Sequence, residues 1–182
     1  MLKSYLTEKE EREARGIPPK PLTAEQTGAL VQLLQHPDHE DPQFLYDLIA
    51  NRVPAGVDEA AEIKAKFLAA LAWGRIASPV ISPQEAVYLL GTMGGGFNID
   101  PLIELLDHSE LSRKAADALS ATILIFDAFE TVFEKSAANE PARNVLHAWA
   151  EAEWFLRNPS PPASMTVTAF KVEGESNTDD FS

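Results

Sequence analysis

The chain of 182 residues contains no cysteine. That absence removes disulfides, thiolate nucleophiles, thiolate zinc sites and cysteine-ligated iron–sulfur clusters from anything it does alone. Positive charge is scarce as well: 15 Lys and Arg stand against 28 Asp and Glu, for a formal net charge of −13. Nucleic acid and anionic membranes are polyanions, so the balance argues against a general affinity for either; only a local basic patch is compatible with it. Long apolar runs are missing too. The most apolar stretch, residues 115–126, contains Asp117 and is too short to span a bilayer. The first residues, with Lys3, Glu8, Lys9, Glu10, Glu11 and Arg12, are too charged for a signal peptide. A soluble cytoplasmic protein is expected.

What is present is helical patterning. A hydrophobic content of 45% over this length suffices for one well-buried core, and most of the 13 prolines fall between helical segments, where they start or stop helices. Thr7 with Glu10, Thr23 with Gln26, and Ser82 with Glu85 have capping-box spacing, the last reinforced by Pro83 at the first helical position. Apolar stripes follow: Leu30, Val31, Leu33 and Leu34; Phe44, Leu45, Leu48 and Ile49; Ile63, Phe67 and Leu71; Val87, Leu89 and Leu90; Leu102, Ile103, Leu105 and Leu106. Residues 112–126 are apolar almost all round and are expected to run through the centre of the core. A last helix over residues 141–157 carries Val145, Leu146, Trp149, Phe155 and Leu156.

Short links between these segments favour antiparallel neighbours, hence an all-α fold of stacked hairpins or an α-solenoid. Residues 158–164 (NPSPPAS) form a stiff linker. Residues 165–172 (MTVTAFKV) then turn β-branched and aromatic, and a polar turn follows at 173–180. A lone strand needs partners that nothing else here offers, so the stretch reads as the beginning of a second domain. The expected division is 1–157 helical, 158–164 linker and 165–182 first strand and turn.

Candidate chemistry is sparse. His36 and His39 flank Asp38, Glu40 and Asp41, but the spacing matches no helical ligand pair, and a solvated acidic loop is the favoured reading. His108 is expected near a helix C-terminus, where its charge complements the dipole, and His147 beside Trp149 is expected to be structural. The glycine-rich stretch at residues 91–98 lacks the lysine and hydroxyl of a nucleotide-binding loop and has no strand before it. Gly94 is instead expected to end a helix in the left-handed conformation, with Asn98 or Asp100 capping the next helix near Pro101. Glu151, Glu153, Asp179 and Asp180 have no nucleophile or base nearby in sequence, and Glu151 and Glu153 do not share a helical face. No catalytic, cofactor-binding or metal-binding residue is assigned.

Five segments in order carry a resemblance: residues 51–61 (NRVPAGVDEAA), 66–70 (KFLAA), 91–99 (GTMGGGFNI), 150–156 (AEAEWFL) and 170–180 (FKVEGESNTDD). Together they resemble the N-terminal region of the bacterial aconitase B family, whose members are aconitate hydratases and 2-methylisocitrate dehydratases. The resemblance covers essentially the whole chain. It implies a HEAT-like α-solenoid of antiparallel helix pairs followed by the first strand of a swivel domain.

It also implies a citrate-to-isocitrate reaction through cis-aconitate at a 4Fe-4S cluster held by three cysteines of later domains, with no cofactor in this chain. None of the family's catalytic residues has a counterpart here, so the chain alone is expected to be inactive. The family's helical domain is similar to protein-interaction modules, packs against the catalytic domains, helps form the route to the active site and is linked to dimerisation. Steering of an anionic substrate would need a basic patch near Arg52, Lys64 and Lys66. RNA binding has been associated with the family, and at −13 this segment is a poor main contact. The alternative is a free-standing helical interaction module that has lost the enzyme.

Overall fold

Five helices start where local side chains satisfy the first free backbone donors. In the computed structural model, which describes residues 2–37, 41–153 and 163–168, Thr23 and Gln26 form a reciprocal capping box ahead of α2 (Ala24–Gln35). Ser82 and Glu85 do the same for α5 (Pro83–Gly91). Asp41, Asp58 and Asn139 cap α3 (Pro42–Asn51), α4 (Glu59–Ala72) and α9 (Glu140–Ala150) through side-chain oxygens. The expected start at Thr7 is overturned: α1 runs Leu2–Glu13 and Thr7 is inside it. The remaining helices are α6 (Ile99–Leu105), α7 (Ser112–Ser120) and α8 (Ile125–Ser136).

The chain divides into two compact units, Met1–Ala152 and Glu153–Ser182. In the first, packing passes from α2 to α4, α5, α7 and α9 in turn, with α3 beside α2, and with α6 and α8 against the later members. This progression along the chain is the all-α solenoid arrangement expected. The core draws on the sequence stripes: Leu30 and Leu34, Leu45, Leu48 and Ile49, Phe67 and Leu71, Val87, Leu89 and Leu90, and Leu102 to Leu106 at their four apolar positions; Leu68 joins them, and Ile63 is only half-buried. Close approach of α5 to α7 requires Gly91, because a Cβ there would lie 2.8 Å from Ala118 Cβ.

Residues 112–126 are not one central helix. α7 is amphipathic, burying Ala115, Ala116 and Leu119 and exposing Arg113, Lys114 and Asp117. The helix stops at Ala121, and a short connection leads into α8, a helix that the apolar pattern did not separate from α7. Thr122 Oγ1 accepts a hydrogen bond from the Leu124 backbone N–H at 3.3 Å, a local alternative to the helical ladder. The last helix also ends earlier than expected, with Glu151 at its C-cap and a turn before Glu153; residues 154–157 lie outside the described residues. Of the expected strand, residues 165–168 carry no assigned element, since a strand without a ladder partner has no backbone bonds to define it. Residues 169–172 lie outside the described residues.

Candidate functional site

Among the departures from the inside-apolar, outside-polar pattern, two stand on single helices. The first is on α4. Its buried face is made of Ala60, Ala61, Ala65, Phe67, Leu68, Leu71 and Ala72, and in the middle of it sits Lys64, only 5% exposed. The alanines on either side leave room for the long aliphatic stem. Its Nζ donates to the carbonyl of Ala50 at 3.2 Å. Burial alone pushes the ammonium down from 10.5 to about 8. A cavity of about 180 Å³ opens beside it, lined by Ala50, Val53, Pro54, Lys64, Thr92 and Met93 among others.

The walls of that cavity are two loops locked together. Gly56 N–H donates to Gly94 O at 3.4 Å. Gly95 and Gly96, and not Gly94, have the positive φ values, +94° and +106°, so the left-handed turn falls one residue later than expected. A Cβ on Gly95 would come within 2.1 Å of Gly56 Cα, which leaves no space for any other residue. Asn98 is buried and does not cap α6 with its side chain; its Nδ2 reaches back to Leu90 O at 2.9 Å and Met93 O at 3.2 Å, closing the end of α5. Asp100 lies in the first turn of α6.

The suggested basic patch does not assemble as an open surface. Arg52 donates to Tyr5 Oη at 3.2 Å and to the carbonyls of Pro19 and Lys20, tying α1 and the following loop to α3. Lys66 pairs with Glu62 at 2.6 Å, and Lys64 points inward. His36 is the C-cap of α2 and exposed, and His39 lies outside the described residues. His108 Nδ1 accepts from the backbone N–H groups of Glu110 and Leu111, at 3.1 and 3.2 Å, and its ring lies against Trp73. It therefore serves as an acceptor in the turn that follows α6. His147 is exposed on the last turn of α9 instead of packed within it. Among the described residues no group of three or more His, Asp or Glu is placed to hold a metal.

The second departure is on α8. Its inner face buries Ile125, Ala128 and Val132 against α9 and α6. Beside that face runs an aromatic stripe, with Phe126 at 94%, Phe129 at 49% and Phe133 at 59% exposure, and Phe129 and Phe133 stacked with centroids 5.9 Å apart. At 100° per residue the stripe spans a single sector, bordered by Glu130, Glu134 and Asp127. Sequence reading missed it, because the apolar segment it assigns ends at Phe126 and most of α8 is left without an element; the spacing Phe126, Phe129, Phe133 was the available signal.

Comparison with known proteins places these features in a family. Aconitate hydratase B of Escherichia coli strain K12 is 55% identical over all of this chain, and that of Pseudomonas aeruginosa is 52% identical. The Helicobacter pylori strain J99 protein of the same name is 41% identical. In each case the chain spans about a fifth of the relative's length, 21%. The family model described as the aconitate B N-terminal domain matches residues 4–155, the span that includes all nine helices described above, from α1 through α9, apart from the first residues of α1. The chain belongs to the aconitate B N-terminal domain family.

Proposed function

We propose that this chain is the non-catalytic helical domain of an aconitate hydratase, serving protein–protein association and shaping access to an active site carried elsewhere in the polypeptide. The enzyme's reaction would be citrate to isocitrate through cis-aconitate, in the citric acid cycle and in the cytoplasm. A 4Fe-4S cluster held by cysteines does not fit the residues present, because the chain has none. No catalytic step is therefore assigned to it, and no catalytic, cofactor-binding or metal-binding residue is proposed. The proposed division is a helical domain over 1–157, a linker over 158–164 and the beginning of a swivel domain over 165–182.

The observation that carries this reading is the aromatic stripe of α8. Large apolar side chains at this exposure add little to folding stability, and a contiguous stripe of them is the kind of surface that another protein covers. The proposed occupants are the catalytic domains of a polypeptide of the relatives' length, with homodimer formation as a further association. The test is to place F126S/F129S in such a full-length enzyme and follow hydrogen exchange in α8 together with aconitase activity. Fast exchange in the variant against protection in the parent, with citrate turnover reduced, is the expected result. Equal exchange in parent and variant would remove the stripe from the association surface. The 182-residue chain itself should show no aconitase activity after cluster reconstitution.

A further inference from the structure

The cavity beside Lys64 has the makings of a ligand site that the association role does not use. A buried ammonium is costly unless an anion faces it or several acceptors surround it. Here the one recorded acceptor is the Ala50 carbonyl, and no described carboxylate forms an ion pair with Lys64. Burial is the whole cause of its shift, and the group still carries its proton through most molecules at neutral pH. The side chains that line the cavity with Lys64 are short or apolar, among them Ala50, Val53, Pro54, Thr92 and Met93. Thr92 Oγ1 donates to Leu89 O, so its proton is already committed. The loops beside the cavity are held in place by the close approach of Gly95 to Gly56 and by Asn98.

We propose that this cavity binds the carboxylate of a short-chain organic acid, with Lys64 as counter-ion and Val53, Pro54 and Met93 against the hydrocarbon. A volume of about 180 Å³ suits a molecule of a few heavy atoms. A carboxylate with a short apolar tail matches one cation with the apolar side chains of Val53, Pro54 and Met93 in the same lining. Phosphate, hydrated on all sides, would leave most of its oxygens without donors there.

The test uses butyrate, inorganic phosphate and chloride at matched ionic strength and neutral pH, with the 182-residue chain and its K64M variant. Butyrate is expected to raise the wild-type melting temperature by several degrees, saturably, while phosphate and chloride do less and K64M does not respond. A separate titration of the wild type follows the methyl resonances of Val53 and Met93, so the result does not depend on the variant folding. Saturable shifts at these two residues with butyrate support the site. An equal thermal response in K64M, a phosphate response as large as that of butyrate, or methyl shifts absent at saturating butyrate would each overturn it.

Discussion

Helices α4 and α8 are both rich in apolar residues, and they break the usual distribution in opposite senses. α4 turns its charged Lys64 inward, within a face of alanine, leucine and phenylalanine. α8 turns three phenylalanines outward, beside an acidic edge. A charge held inside needs something polar to come to it, and an aromatic stripe held outside needs something apolar to cover it. The first points to a small anion and the second to a macromolecular surface. The two helices also differ in how they begin: α4 has an Asp58 cap, and α8 starts at Leu124 without a side-chain cap.

The largest expected effect separates the two helices by burial. Leu68 on α4 is fully buried, so Leu68→Ala should cost roughly 2–5 kcal/mol, the transfer term plus the cavity left behind. Phe126→Ala on α8 removes a larger side chain yet should change stability by only about 0.5 kcal/mol or less. Urea denaturation of both variants in the 182-residue chain measures the pair. Equal losses would mean that Phe126 contributes to the fold, and the contrast between the helices would fail.

Next is the pH dependence of α4. Lys64 falls from 10.5 when unfolded to about 8 when folded. Between those values the unfolded chain binds more protons than the folded one, so stability rises as pH climbs from about 8 toward 10.5. Below about 8 the lysine is protonated in both states and the burial cost is fully present. The rise should amount to roughly 3 kcal/mol across that window. Lys64→Met keeps the stem and removes the charge, so its stability should lack the rise and should match or exceed the wild type at pH 7. Subtracting the two urea curves cancels the other titrating groups. Parallel curves would show that Lys64 reaches solvent or a counter-charge.

Much of this architecture is legible in the sequence where the causes are local. The capping boxes at Thr23 and Ser82 follow from two side chains at fixed spacing, and the buried leucines follow from helical period. The same spacing at Thr7 was misleading, because a threonine and a glutamate three apart also occur inside a helix such as α1. The α7–α8 break was hidden by the absence of glycine or proline; Thr122 and Ile123 are β-branched and only mildly averse to helix, and packing decides the rest. The candidate sites depend on contacts far apart in sequence. Gly95 meets Gly56, and Lys64 meets Ala50, across turns whose relative position no local pattern encodes. A lysine is also usually solvated, so its place in the α4 stripe reads as an interruption and not as the centre of the buried face.

A smaller effect tests the difference in helix starts. Ser82→Ala removes the acceptor for Glu85 N–H and the hydroxyl donor to Glu85 Oε2, leaving the Ser82 backbone N–H on that carboxylate, and should cost about 1 kcal/mol. The start of α8 has no such side chain to lose, so its position must come from the packing of Ile125, Ala128 and Val132. A thermal melt of Ser82→Ala showing no loss would indicate that α5 too is placed by packing alone.

The smallest effect concerns the other end of α8. Lys135 in its last turn donates to Asp107, which also accepts from Asn139 Nδ2, and this joins the region after α6 to the α8–α9 turn. The bond from Lys135 outweighs burial, which pushes the other way, and holds the Asp107 carboxyl below its usual value of 3.8. Its contribution is therefore present above the unfolded value and is lost as pH falls through the lower folded one. The Asp107 side chain is 56% exposed, so Asp107→Asn should cost less than about 1 kcal/mol at neutral pH, and less again in high salt. In acid the wild type protonates and the two proteins should converge in urea midpoint. If the loss at neutral pH exceeded that of Ser82→Ala, α8 would be held by this tether more than by its inner face. The aromatic stripe would then be carried on a helix free to shift with Asp107, and not on one fixed by the core.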